Sequence, residues 1–222
     1  MIGAPVLVLT GMAFEARIAD AEVVYGLRGE ALQRALSARL QQPCAGLISF
    51  GVAGGLAPSL KPGAIVIGDR IATLSETIPT DSLWTAELLR ALPGVAFGPL
   101  AGVDAPVAAV EDKAGMYAAL GALAADMESH IGARAARQAG VPFAALRVVI
   151  DPAERPVPAA AVAAFGVDGR TDMVALMGSL LTRPTQLGAL LRLGRDSAQA
   201  RTALGQVRAR LGERFALPEA LA

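Results

Sequence analysis

The sequence predicts an α/β fold: a three-layer α/β/α sandwich around a mixed, largely parallel sheet, with a helical C-terminal extension. Three observations carry this: short continuous apolar runs, helical periodicity between them, and Gly or Pro at the junctions. Residues 5–10 (PVLVLT) form an unbroken apolar run of the kind buried on both faces of a parallel sheet. Gly11 ends it, and a helix is expected to begin around residues 14–17. Residues 29–40 have helical spacing and close before Pro43. A second buried strand over 46–50 runs into the glycine-rich loop 51–55, and a third covers 64–68. Residues 114–125 are weakly patterned and read as helix. The helix expected over 126–139 is clearer, with acids in its first turn, Arg134 and Arg137 later, and Gly140 and Pro142 as stop signals. An apolar strand follows over 143–150, then a loop marked by Pro152, Pro156 and Pro158.

Composition narrows the chemistry. The 222 residues suit one domain with a sizeable core. Zero net charge implies no general affinity for polyanions, so no nucleic-acid partner is expected. Cys44 is the sole cysteine and reads as a small apolar side chain before a strand. His130 is the sole histidine, which argues against a His-rich metal site and a Ser-His-Asp relay. Nearly all basic residues are Arg, with only Lys61 and Lys113 as lysines. No uncharged run reaches the ~18 apolar residues of a spanning helix. The N-terminus reads as a strand and not as a signal peptide. A cytoplasmic location is expected, with membrane attachment only from the side.

Three stretches concentrate candidate chemistry: the loop Gly51, Val52, Ala53, Gly54, Gly55; the tripeptide Asp126, Met127, Glu128; and the run RVVID from Arg147 to Asp151. Asp151 ends an apolar strand, where open α/β sheets place ligand groups, although an Asp before Pro152 also starts turns. Glu128 and Asp126 also suit the positive end of a helix dipole. Arg147 either orients a carboxylate or closes a structural ion pair. The glycine loop permits close backbone approach to a ligand, and it matches neither the dinucleotide nor the Walker pattern.

In this order and spacing, the three stretches resemble the nucleoside phosphorylase and nucleosidase superfamily, which cleaves N-ribosidic bonds. The resemblance runs from about Val6 to Pro152. It implies a fold of the purine nucleoside phosphorylase type, with a catalytic domain over 1–182 and a basic helical extension over 183–222. It assigns Asp151 as the acid that engages purine N7 and the exocyclic amine, and Glu128 as the clamp on the ribose 2′- and 3′-hydroxyls. Met127 packs under the sugar, the backbone of Val107 reads the purine edge, and Glu15 activates water. Gly51, Val52, Ala53, Gly54 and Arg147 complete the substrate-binding set, with no metal or organic cofactor.

Several positions depart from the phosphorolytic pattern. Glu15 stands where phosphorolytic relatives place an arginine for phosphate. Position 49 is Ser where they carry Arg, and position 52 is Val where a hydroxyl is common. Phosphate could then meet only backbone N–H groups and Arg17 or Arg28, so water is the favoured nucleophile. Ten residues separate Glu15 from Gly26, a short stretch for this family, and Ile150 replaces a small polar residue before the Asp.

The tail DGRTDMVALMGSLLTRPTQLGALLRLGRD resembles one branch, the hopanoid-associated nucleoside phosphorylase-like proteins. That branch is linked to release of adenine from adenosylhopane, a lipid-linked nucleoside. From Arg183 to Arg214, seven Arg stand against Asp196 and Glu213, with leucines at helical spacing. Such a tail suits either an anionic membrane surface or a pair of amphipathic helices packed on the core. Self-association into a homo-oligomer is expected from the family. The alternatives are a nucleosidase or phosphorylase of small soluble nucleosides such as methylthioadenosine or S-adenosylhomocysteine, and a non-catalytic nucleoside- or lipid-binding protein. Preference for small nucleosides marks the first; function that survives loss of Glu15, Glu128 and Asp151 marks the second.

Overall fold

The structure, a computed structural model, describes residues 4–163 and 187–221. The first strand, β1 (Val6–Thr10), is followed by α1 (Ala13–Ala19), β2 (Val23–Tyr25), α2 (Gly29–Arg39) and the long β3 (Gly46–Gly55). Then come β4 (Ile65–Ala72), β5 (Thr77–Pro79), α3 (Ser82–Ala91), β6 (Ala96–Gly102), α4 (Val110–Leu120) and β7 (Ala124–Asp126). The chain continues with α5 (Ser129–Ala139), β8 (Phe143–Asp151), α6 (Ala159–Ala163) and α7 (Leu187–Leu211). Part of the tail motif, residues 168–186, lies outside the described residues.

The sheet is mixed, and most of its pairings are parallel. β1 pairs in parallel with β2 and β3, β3 with β8, β4 with β6, and β6 with β7. Antiparallel pairings join β3 to β7, β4 to β5 and β4 to β8. Strands β3, β8, β4, β6 and β7 therefore pair in a closed ring, with β1 and β2 extending from one side of it.

Alternating side chains divide between two apolar cores, as strand geometry requires. Val6 and Val8 of β1 enter a core with Trp84 of α3 and Leu204 and Val207 of α7. Leu7 and Leu9 enter the opposite core with Leu32 and Leu36 of α2 and Ile131 of α5. This is the three-layer sandwich. Each buried Leu contributes about 1.5–3 kcal/mol. Ala200, Leu204, Val207 and Leu211 form one buried stripe along α7. Trp84 Nε1 donates to the Phe215 carbonyl at 2.8 Å and fastens the chain end behind that stripe.

The structure corrects four local expectations. Residues 51–55 continue β3 and do not form a loop, and none of their glycines has positive φ. Residues 114–125 divide between α4 and β7, with Gly121 (φ 62°) ending the helix. The helix expected from Asp126 begins at Ser129, because Asp126 is the last residue of β7. Where the leucine spacing suggests a pair of helices, the described residues 187–211 form one helix, α7.

Candidate active site

Arg147 is the hub around which the site is organised. It is fully buried on β8, paired in register with Gly51 of β3 and Val66 of β4. A guanidinium taken out of water needs acceptors. Nη2 donates to Ser49 Oγ (2.6 Å), Asp126 Oδ1 (2.9 Å) and Ser129 Oγ (3.0 Å), and Glu128 Oε2 lies 3.7 Å away. Arg147 thus closes an ion pair and faces a second carboxylate. The glycine opposite it is a spatial requirement: a Cβ on Gly51 would sit 2.7 Å from Nη1 and overlap the Glu15 carboxylate. Among the described residues, the Ser49 hydroxyl bonds inward, to Arg147 and to Ser129 Oγ at 3.0 Å.

Three acids surround this hub. Glu15, in the first turn of α1, accepts N–H groups of Gly11 (2.9 Å) and Met12 (2.7 Å) on Oε2, and of Val52 (2.6 Å) on Oε1. It therefore ties the β1–α1 turn to β3. Burial pushes its carboxyl above the ordinary range, while Arg147 and the three N–H donors pull it down. Asp126 Oδ1 accepts from the N–H groups of Glu128 (3.0 Å) and Ser129 (2.7 Å), capping α5 as well as pairing with Arg147. Glu128 is pushed up to about 8, first by burial; Arg147 opposes that rise, and the charges of Asp126 and Glu15 add to it. Its carboxylate packs on Gly11, where a Cβ would lie 2.6 Å from Oε1. Glu128 therefore does more than answer a helix dipole.

Asp151 ends β8 beside a bulge. Ala53 pairs with Val149 and Gly54 with Asp151, so Ile150 is the extra residue. A bulge re-aims side chains, and here the consecutive Ile150 and Asp151 both line one cavity. The Asp151 carboxylate lies beside Gly54, at ordinary contact distance from where a Cβ would be. Asp151 Oδ2 accepts from Lys113 Nζ at 2.5 Å. Burial raises the Asp151 carboxyl and Lys113 pulls it back.

These groups meet at a cavity of 320 Å³, the size of a small-ligand pocket. Of the ten residues singled out in the sequence, Glu15, Val52, Ala53, Gly54, Val107, Met127, Glu128 and Asp151 line it. Gly51 and Arg147 stand behind that lining. Sequence reasoning missed Gly11 and Lys113, which also line the cavity. The break at Gly11 was visible in the sequence; nothing local marked Lys113. The tail reaches the site through Leu190, Leu193, Gly194, Ser197 and Arg201 of α7. Arg201 stacks over Phe14 at 4.2 Å, and Arg28 also lines the wall. His130 lies elsewhere, paired with Asp104 at 3.2 Å beside a second cavity of 150 Å³.

Buried acids of raised pKa at the strand ends of an α/β sheet, around one cavity, are the equipment of acid–base bond cleavage. The fold and the family match together define an enzyme that cleaves N-glycosidic bonds. Residues 30–182 match the family model of the phosphorylase superfamily, and the chain belongs to that superfamily.

Solved structures share the fold. The 5′-methylthioadenosine/S-adenosylhomocysteine nucleosidase of Helicobacter pylori, bound to butyl-thio-DADMe-Immucillin-A, is 15% identical at a TM-score of 0.67, covering 96% of this chain and 100% of that one. The Neisseria meningitidis nucleosidase of the same description, with methylthio-immucillin-A, is 19% identical at 0.62, covering 92% and 97%. Helicobacter pylori futalosine hydrolase is 15% identical at 0.65, covering 95% and 98%. None of the curated proteins matches the sequence.

Proposed function

We propose that this protein cleaves the N-ribosidic bond of an adenine nucleoside and that its substrate is adenosylhopane. The convergence of Glu15, Glu128 and Asp151 on one cavity carries the reading. Cleavage makes three demands: a proton or hydrogen bond for the departing base, a grip on the oxocarbenium-like sugar, and a nucleophile at the anomeric carbon. Asp151 donates to the base, whose edge the Val107 backbone reads; both line the cavity. Glu128 accepts from the ribose hydroxyls, with Met127 against the sugar. Glu15, beside Arg147, activates water. A well-placed acid or base contributes roughly 10²–10⁴-fold.

The 5′ side supports the lipid. Leu190, Leu193 and Gly194 of α7 extend the wall, and exposed Gly194 and Arg201 mark the mouth through which an apolar 5′ group would leave. The start of α7 also carries exposed Leu187 and Leu191 beside exposed Arg192 and Arg195, chemistry suited to peripheral contact with an anionic membrane. Among the described residues, no helix is long and apolar enough to cross one. A second reading, a nucleosidase of methylthioadenosine or S-adenosylhomocysteine, is favoured by the enzymes of that description that share the fold over most of their length. Water is the proposed nucleophile because Ser49, at the position of a phosphate-binding Arg, is sealed against Arg147.

The test is adenine release from adenosylhopane in detergent, with and without phosphate, and with methylthioadenosine as competitor. The expected result is phosphate-independent release of adenine and ribosylhopane. Strict phosphate dependence would make it a phosphorylase. Turnover of methylthioadenosine alone would establish the second reading.

A further inference from the structure

Lys113 is the least expected residue of the site. It sits in the first turn of α4, where a helix dipole disfavours a cation, and it is fully buried. A buried ammonium is costly unless all its donors are met. Here they are: Nζ donates to Asp151 Oδ2 at 2.5 Å and to the carbonyls of Pro152 and Arg155 at 2.9 Å each. The other lysine, Lys61, only forms an exposed pair with Glu154. Lys113 therefore pins the turn after β8 onto α4 and saturates one oxygen of Asp151. Among the described residues, no hydrogen bond reaches Oδ1 of a carboxylate that lines the cavity.

We propose that Lys113 is a positioning residue for Asp151: it commits Oδ2 to the protein and leaves Oδ1 for the leaving base. Its charge, 2.5 Å from the carboxylate, also favours the ionised form. This rests on the reading of Asp151 as the acid. The charges facing Asp151 are Lys113 from α4, Arg155 from the following turn and Asp196 from α7. Arg155 and Asp196 pair with each other at 2.8 Å, which among the described residues leaves Lys113 as the cation paired to Asp151 alone. Burial and Lys113 then act in opposite directions on one carboxyl. Burial already outweighs the cation, and removing Lys113 takes away the opposing charge, so the carboxylic form persists to still higher pH.

The experiment is the pH profile of kcat/KM for adenine release by the wild type, Lys113→Met, Lys113→Arg and Asp151→Asn, on whichever of adenosylhopane and methylthioadenosine is cleaved. In Lys113→Met the alkaline limb should move up by about 1–3 pH units, the usual effect of a neighbouring cation on a carboxyl. Lys113→Arg should return it towards the wild-type position even where KM is raised. A residue that merely braced the turn would change KM or stability alike in both variants and leave the limb in place, and that outcome overturns the proposal.

Should Lys113→Met fail to fold, the wild-type chain decides. With two lysines in the sequence, ¹⁵N-lysine NMR resolves each side chain. The Lys113 signal should titrate with the kinetic limb and lose that titration in Asp151→Asn; a signal unmoved across the limb overturns the proposal. Full activity in Asp151→Asn would remove the acid itself, and with it the mechanism proposed above. An inactive Asp151→Asn with an unmoved limb in Lys113→Met would discard only the role of Lys113.

Discussion

Gly51 on β3 and Arg147 on β8 are register partners, and the missing side chain of one is the space that the other's guanidinium occupies. Gly51→Ala should therefore force Arg147 and Glu15 apart. Overpacking of this kind costs about 1–3 kcal/mol. Urea denaturation should show that loss, and adenine release should fall by at least tenfold because both displaced side chains belong to the site.

Asp151→Asn keeps an oxygen for Lys113 and removes the acid. Activity should fall by about 10²–10⁴-fold, and the melting temperature should also drop, because the buried Lys113 ammonium loses its counter-charge. Near wild-type turnover would take Asp151 out of the mechanism.

Glu128 gives stability a pH dependence of defined sign. Its carboxyl titrates at about 8 in the folded chain against a reference of 4.5, so the folded state holds this proton where the unfolded chain has released it. Stability should fall as pH rises from about 4.5 to about 8 and level off above that. Glu128→Gln should flatten this fall, measured as the difference in melting temperature between the two ends of the window. Equal pH dependence in the two proteins would contradict the burial described here.

Leu193→Arg places a cation on the apolar wall that α7 contributes. Activity on adenosylhopane should drop by more than tenfold while methylthioadenosine turnover changes little, because in the proposed reading α7 contacts the 5′ group, which is small in methylthioadenosine. Equal loss on both substrates would show that this wall does not discriminate between them.

Sequence and tertiary structure determined different things about this protein. The strands at Val6–Thr10 and Phe143–Asp151 were legible because a strand buried on both faces must be apolar throughout. Gly140 ended α5 as expected, because its φ of 67° is open to glycine. Asp151 stood out because it ends an apolar strand, whereas Glu15 and Glu128 stood out through the resemblance of their motifs to the family. Periodicity could not separate α4 from β7, since a three-residue strand is too short to show a period and takes its conformation from β3 and β6. Nor could it distinguish the glycine segment from a loop, because pairing with β8 is what makes it strand. The ammonium of Lys113 meets a carboxylate 38 positions away, and Leu193 of α7 closes a cavity begun at Gly11. Those encounters depend on how the sheet closes and where α7 lies across it, and no local pattern in a sequence encodes a distance between segments so far apart.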